Sequence, residues 1–186
     1  SDEVQSGFGR SGERWFAIEH AGVEPDIMVM AKGIANGMPV GATITRPDIA
    51  ASWKAKTIST FGGSPVSMAA TAATLEVMVE EDVPQRAKER GAQLYAGLME
   101  LYARFRWIGD IRGMGLMQAM ELVEDPDTKE PSPQKTKALL EAAKDEGLLI
   151  GVGGLHGHVI RIGPSLLITE AELDEGLERL ERACQR

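Results

Sequence analysis

The chain lacks the features that cross-link a protein or hold it in a membrane. Its 186 residues include one cysteine, Cys184, so no disulfide can form within the chain, and a single thiol is typical of a reducing compartment. No apolar run approaches the roughly 20 residues of a membrane span, and the first residues do not form a signal peptide. We therefore expect a cytoplasmic protein without a membrane partner.

Positive charge is also scarce. The chain has 20 Lys and Arg residues against 28 Asp and Glu residues, and its formal net charge is -8. The basic residues are dispersed and form no polybasic stripe, which argues against nucleic acid as a partner. Hydrophobic residues make up 43% of the chain, enough for the core of one domain or of two small ones.

Several common catalytic motifs are missing. No serine lies in a Gly-x-Ser-x-Gly nucleophile elbow, and Gly113 and Gly115 lack the third glycine of a dinucleotide fingerprint. His156 and His158 flank a glycine without a nearby carboxylate or cysteine, so we interpret them as an exposed loop and predict no metal site.

The chain does have a lysine on a short turn. Lys32 follows the apolar run Ile27–Met30 and precedes a glycine. Such a run is typical of a parallel strand buried on both faces, whose end opens into the crevice where α/β proteins bind ligands. An amine buried there is held neutral and can condense with a carbonyl. The alternative is a strand-end lysine that points at solvent, as most lysines do.

Two further polar features accompany Lys32. Asp2 precedes an amide and a glycine-rich loop, and if it ends a buried strand its carboxylate needs a cation or a strong donor, such as a protonated pyridine nitrogen. Thr60 and two glycines precede a predicted helix that begins at Pro65, and glycine turns and helix N-termini suit phosphate. A surface Asp and a helix-capping segment are the alternatives. Together, the carboxylate, the amine and the phosphate contact match the three polar groups of pyridoxal phosphate.

The motifs around these residues carry a family resemblance. They are Asp-Glu-Val-Gln at 2–5, Gly-Phe-Gly-Arg at 7–10, Pro-Asp-Ile at 25–27, Ala-Lys-Gly at 31–33, Asn-Gly-Met-Pro-Val-Gly-Ala at 36–42, Thr-Phe-Gly-Gly-Ser-Pro at 60–65 and Arg-Gly-Met-Gly-Leu-Met at 112–117. Over essentially its whole length the chain resembles the C-terminal part of the class III (omega-amino acid type) aminotransferases, which are fold type I pyridoxal phosphate enzymes. Ser64 stands where the family more usually has asparagine, and serine also caps helices well.

The resemblance implies a role for each matching residue. Lys32 forms the internal Schiff base with the cofactor and then moves a proton between substrate and cofactor. Asp2 holds the proton of the pyridinium nitrogen. Val4 packs on the ring and Gln5 lies near the phenolic oxygen. Thr60 gives its hydroxyl and backbone N–H to the phosphate across the interface of a homodimer.

Arg161 is the implied substrate-binding residue. It stands in the middle of the short apolar segment 159–162, where alternation alone lets it face solvent. The resemblance implies that its guanidinium binds a substrate carboxylate with two parallel hydrogen bonds, a geometry for which arginine is preferred over lysine. A capping box formed by Thr169 and Glu172 predicts the start of the last helix soon after it.

The implied fold is α/β, with the C-terminal portion of the fold type I pyridoxal phosphate large domain followed by an α+β C-terminal small domain. Residues 1–80 would belong to the large domain, including a linking helix, and residues 81–186 would form the small domain. Helices are predicted at 65–80, 85–105, 133–146 and 170–184, and strands at 27–30, 40–45, 107–111, 116–122, 148–152 and 159–162.

The implied function is that of a pyridoxal phosphate-dependent aminotransferase, which moves an amino group from an amine, omega-amino acid or amino acid to a 2-keto acid. A lyase, racemase or aminomutase on the same fold is one alternative, because cofactor contacts are shared among these enzymes. A catalytically inert folded fragment or an association module is another. Because Asp2 corresponds to a position well inside the family's large domain, we expect a fragment rather than a short natural protein, and we expect the chain alone to be inactive.

Overall fold

The structure is a computed structural model that describes all residues, Ser1–Arg186. The chain divides into two compact units, Ser1–Gln85 and Arg86–Arg186. In chain order the elements are β1 Ile27–Met30, β2 Ala42–Thr45, α1 Pro47–Ser52, α2 Pro65–Glu80, α3 Val83–Arg104, β3 Ile108–Met114, β4 Met117–Leu122, α4 Pro133–Asp145, β5 Gly151–Gly153, β6 Val159–Ile162 and α5 Glu170–Cys184, with short 3-10 helices at Ala17–Ala21 and Lys32–Ala35.

The first unit contains a small sheet around β1. Strand β2 pairs with β1 antiparallel, and the first residues of the chain run parallel to β1 on a bridge between Asp2 and Val29. The predicted burial of β1 on both faces is wrong in this chain, because Ile27 is 43% exposed and Val29 39%. Only Met30 at its end is buried. The face of β1 that carries Ile27 and Val29 is therefore open to solvent, whereas Met28 is half-buried and Met30 buried on the other face.

The second unit is built on a four-stranded antiparallel sheet in the order β3-β4-β6-β5. Alternation along the strands directs Met120, Leu122 and Ile160 into the core, where all three are fully buried. Helices α3, α4 and α5 contribute the other core side chains on that face, which include Leu94, Leu98, Leu101, Leu139, Ala143, Leu173 and Leu180.

Most helix boundaries follow the predicted signals. Helix α2 begins at Pro65, although Ser64 makes no side-chain cap. The capping box of α5 is confirmed: Thr169 Oγ1 accepts a hydrogen bond from Glu172 N, and Glu172 Oε2 accepts one from Thr169 N at 2.8 Å. The hydrogen bond from the Thr169 backbone N–H lowers the pKa of Glu172 most, and the one from the Thr169 hydroxyl lowers it further.

Some segments differ from the prediction, among them β3, which continues to Met114, three residues past its predicted end at 111. The strand expected at 148–152 is observed at Gly151–Gly153, because Leu148 and Ile150 pack against the helical core instead. Helix α1 was not predicted. None of the helices combines the length and the apolar character needed to cross a membrane.

Candidate active site

Lys32 lies on a turn that its neighbours anchor. It begins the 3-10 helix two residues after β1 ends, and its φ of 41° is a left-handed conformation that is strained for a residue with a side chain. Ile34 and Ala35 are buried, and α2 packs against the same turn. The side chain of Lys32 itself is exposed, which within this chain agrees with the alternative of a strand-end lysine that points at solvent.

Asp2 lies at the same end of the sheet as Lys32. Its segment runs parallel to β1, with Glu3 N donating to Val29 O at 2.8 Å. The Asp2 carboxylate is exposed, and its Oδ1 accepts a hydrogen bond from Val4 N at 3.0 Å. The structure therefore brings a carboxylate and an amine to the adjoining ends of two parallel segments, the position where α/β sheets bind ligands.

Glu3, not Asp2, is the buried carboxylate. It is 1% exposed, and it accepts hydrogen bonds from Ser6 Oγ at 2.6 Å, Ile18 N at 2.8 Å and Ala17 N at 3.1 Å. Burial alone would raise its pKa, but these hydrogen bonds outweigh burial and hold the pKa of Glu3 below its ordinary value.

Sequence reasoning missed Glu3, although a signal was available. Side chains alternate between the two faces of an extended segment, so neighbouring acids at positions 2 and 3 point in opposite directions. If Asp2 faces the ligand crevice, Glu3 must face the protein. There its carboxylate holds the start of the glycine-rich loop to residues 17 and 18.

The glycine-rich loop packs against the lysine turn. Phe8 is buried, meets the ring of Phe16 edge to face at 5.5 Å, and lies beside Gly33, where an added Cβ would be 3.9 Å from Phe8 Cβ. Val4 is half-buried and Gln5 is exposed on this loop. Both residues lie on the loop that follows Asp2 and Glu3.

Thr60 lies on an exposed turn that leads into α2. The turn is closed by hydrogen bonds from Gly62 N to Ser59 O at 3.2 Å and from Ser64 N to Phe61 O at 3.1 Å. It presents Thr60 to solvent.

Arg161 belongs to the second unit, on β6 between β4 and β5. It pairs with Ala119 on one side and with Gly151 on the other. Because Ile160 points into the core, alternation puts Arg161 on the opposite face of the sheet, where it is exposed.

Two other chemically reactive residues, His158 and Cys184, have structural roles. His158 is buried, not on an exposed loop as predicted, and its Nε2 lies 3.3 Å from Glu121 Oε1. Glu121 is also bound by Arg112 Nη1 at 2.5 Å, and its pKa is lowered because these contacts outweigh burial. Burial, with a contribution from the Glu181 carboxylate, raises the pKa of the Cys184 thiol to about 12, which suits a helix residue and not a nucleophile.

The Aminotransferase class-III model matches residues 1–184 of the chain. The chain belongs to the class-III aminotransferase family. The resemblance inferred from its motifs is therefore confirmed.

Relatives of this class-III chain include enzymes with different activities. It is 42% identical to alanine–glyoxylate aminotransferase 2 homolog 2 of Arabidopsis thaliana and covers 39% of that protein. It is also 42% identical to the leucine/methionine racemase of Thermococcus litoralis and covers 41% of it. The match takes in 100% and 98% of this chain, respectively. The chain thus spans about two-fifths of the length of these relatives.

The fold agrees with the family. All of the chain superimposes on 44% of the crystal structure of a Bacillus anthracis aminotransferase, with a TM-score of 0.93 and 35% identity. The predicted fold class, α/β of the fold type I aminotransferases, is confirmed.

Proposed function

We propose that this chain carries the lysine-bearing part of a pyridoxal phosphate-dependent aminotransferase that moves an amino group from an amine, omega-amino acid or amino acid to a 2-keto acid. The observation that carries the proposal is the position of Asp2 and Lys32, an exposed carboxylate and an exposed amine at adjoining ends of parallel segments. The class-III family and the aminotransferases among its relatives support it.

The residues present fit the cofactor by their chemistry. The exposed Lys32 amine suits a carbonyl, and the exposed Asp2 carboxylate suits a protonated ring nitrogen. Asp2 is held in place by the hydrogen bond from Val4 N and by the buried anchor of Glu3 next to it. Lys32 is held by the buried residues of its own turn.

Each residue has a defined task. When bound, pyridoxal phosphate supplies an electron sink for negative charge at the substrate carbon. The Lys32 amine holds the cofactor and carries a proton on Nζ to and from that carbon. Asp2 retains the proton of the ring nitrogen, Val4 packs on the ring, Gln5 lies near the phenolic oxygen, and Thr60 donates its hydroxyl and backbone N–H to the phosphate.

The proposal extends to the substrate and to the assembly. Arg161 binds a substrate carboxylate through its guanidinium fork. Residues 1–80 serve as part of the cofactor-binding large domain and residues 81–186 as the small domain. The complete enzyme is a homodimer in which Thr60 serves the partner's cofactor, in keeping with its exposed turn.

Replacing the lysine tests the proposal. In the complete enzyme, Lys32→Ala should abolish the visible absorption band of the lysine-bound cofactor and lower transaminase activity by about 10²- to 10⁴-fold or more, because the proton carrier is lost. Lys56→Ala is the matched control, since Lys56 is another exposed lysine of the same unit. It should retain both the band and the activity. A band that survives in Lys32→Ala would refute the assignment.

Racemisation is the second candidate, favoured by the 42% identity to the leucine/methionine racemase. Product analysis separates the two reactions. Transamination consumes one keto acid and produces another, whereas racemisation inverts an amino acid without any acceptor. If an amino acid is inverted in the absence of a keto acid, the function is racemisation and not transamination.

An inert association module is the third candidate. Large apolar side chains of the first unit are exposed, among them Ile58 at 96% and Phe61 at 86%, and such surface favours a partner. Adding pyridoxal phosphate to the 186-residue chain alone and measuring transamination tests this candidate. Sustained turnover would refute the inert module.

A further inference from the structure

The edge strand β5 carries a glycine at each position that faces the side of the sheet where Arg161 lies. Gly151 pairs with Arg161, and Gly153 pairs with Val159. Residues opposite each other in an antiparallel pair share a face, and so do residues two apart on a strand. Gly151, Gly153 and Arg161 are therefore neighbours on one surface.

The side chain of Arg161 occupies the space above Gly153. A Cβ added at Gly153 would lie 2.5 Å from Arg161 Cδ and 3.1 Å from Cγ. A Cβ added at Gly151 would meet Arg161 O at 3.7 Å and Arg161 Cβ at 3.9 Å, which are ordinary van der Waals distances. The arginine thus runs over the second glycine of the strand and not over the first.

The backbone does not explain the glycine at position 153. Its φ lies outside the left-handed region, so an L side chain can adopt its conformation, whereas the following Gly154 has a φ of 79°. Space for the Arg161 side chain is the requirement that remains.

We infer that Gly153 is a positioning residue that directs the Arg161 guanidinium to the substrate carboxylate. The inference rests on the carboxylate role proposed for Arg161 above. A methyl group at 153 collides with the aliphatic stem of a flexible side chain and not with backbone, so the arginine gives way and the fold does not. Because a guanidinium binds a carboxylate through a planar fork, a change in its direction weakens that contact. Gly153 therefore affects only substrates that carry a carboxylate.

Binding of succinate to the 186-residue chain tests the inference without the cofactor. The Nε–Hε signal of Arg161 in the nitrogen-15 NMR spectrum, assigned by its loss in Arg161→Lys, reports the carboxylate contact. Gly153→Ala should bind succinate about tenfold more weakly, the order expected for the loss of a charged hydrogen bond. Gly151→Ala, the matched control, should bind as the unaltered chain does. The melting temperatures of both variants should be close to that of the unaltered chain.

The outcomes separate the inference from the proposed function. If the Arg161 signal responds to succinate equally in Gly153→Ala and in the unaltered chain, the inference is overturned and the role of Arg161 stands. If the signal does not respond in the unaltered chain, the carboxylate role of Arg161 fails and the inference fails with it. A Gly153→Ala chain that does not fold would also overturn the inference, because the arginine is required to give way.

Discussion

Glu3 is a buried carboxylate that hydrogen bonds hold in its charged form. Its two oxygens accept hydrogen bonds from two hydroxyls and two backbone N–H groups, at distances from 2.6 to 3.1 Å. Donors of this kind satisfy a carboxylate well enough to offset its desolvation. The same contacts fix the segment that presents Asp2. Glu3, which is not proposed to touch the cofactor, thus supports Asp2, which is.

Glu3→Gln should lower the free energy of unfolding at pH 7 by about 1–3 kcal/mol, because the amide group turns a donor toward donors. The folded-state pKa of Glu3 lies below the ordinary value of 4.5. Its contribution to stability is therefore present above that value and lost as pH falls through the folded-state pKa. The difference between the two proteins should shrink in urea unfolding carried out at progressively lower pH.

The exposed Glu24 provides the control for this measurement. Glu24→Gln should unfold almost as the unaltered chain does at each pH. A stability difference for Glu3→Gln that stays constant from neutral to acidic pH would contradict the account of its ionisation.

Helix α3 and the β3–β4 hairpin approach each other backbone to backbone. A Cβ at Gly91 would lie 2.5 Å from the backbone of Gly115. Gln118 Nε2 joins the two, donating to Gly91 O at 2.7 Å and to Gly115 O at 2.9 Å. The glycine in mid-helix is thus a packing requirement, which outweighs its cost in helix propensity.

Gly91→Ala should destabilise the protein by about 1–3 kcal/mol, because the methyl group meets backbone that cannot move aside cheaply. Gly176 in α5 is the matched control, since an added Cβ there meets nothing within 4 Å. Gly176→Ala should stabilise by about 0.5–1 kcal/mol through helix propensity. Urea unfolding measures both. Stabilisation of similar size in the two variants would show that the helix and the hairpin are not in close contact.

Elements with local signals were predictable from the sequence. Pro65 set the start of α2, and the Thr169 capping box set that of α5, because these residues act on their own backbone. Strand β5 was misplaced since two of its three residues are glycines with little strand propensity. Its pairing with β6 decides its position, and that pairing is not a local property.

At the scale of the whole molecule, the two units differ in how much core they contain. The main hydrophobic cluster lies within Arg86–Arg186 and joins three helices to one sheet face. The first unit buries few large apolar side chains, such as Phe8, Met30 and Ile34, and leaves many exposed. A unit with its own core can fold by itself.

Residues 83–186, which begin with α3, should fold in isolation with a single cooperative thermal transition. Leu98→Ala in this segment should lower its stability by about 2–5 kcal/mol, because Leu98 is fully buried. Residues 1–82 alone should lack a cooperative transition. Circular dichroism melting of the two segments checks both statements, and a gradual melt of residues 83–186 would contradict the first.

The sequence by itself determined the family, the α/β fold class and the candidate residues Asp2, Lys32, Thr60 and Arg161, because these depend on residue types at fixed spacings. The exposure of Lys32, the hydrogen bonds of Glu3 to residues 17 and 18 and the path of Arg161 over Gly153 were decided by the tertiary structure alone. Each of these depends on which segments lie side by side. Residues distant in sequence supply those neighbours, and no local pattern encodes them.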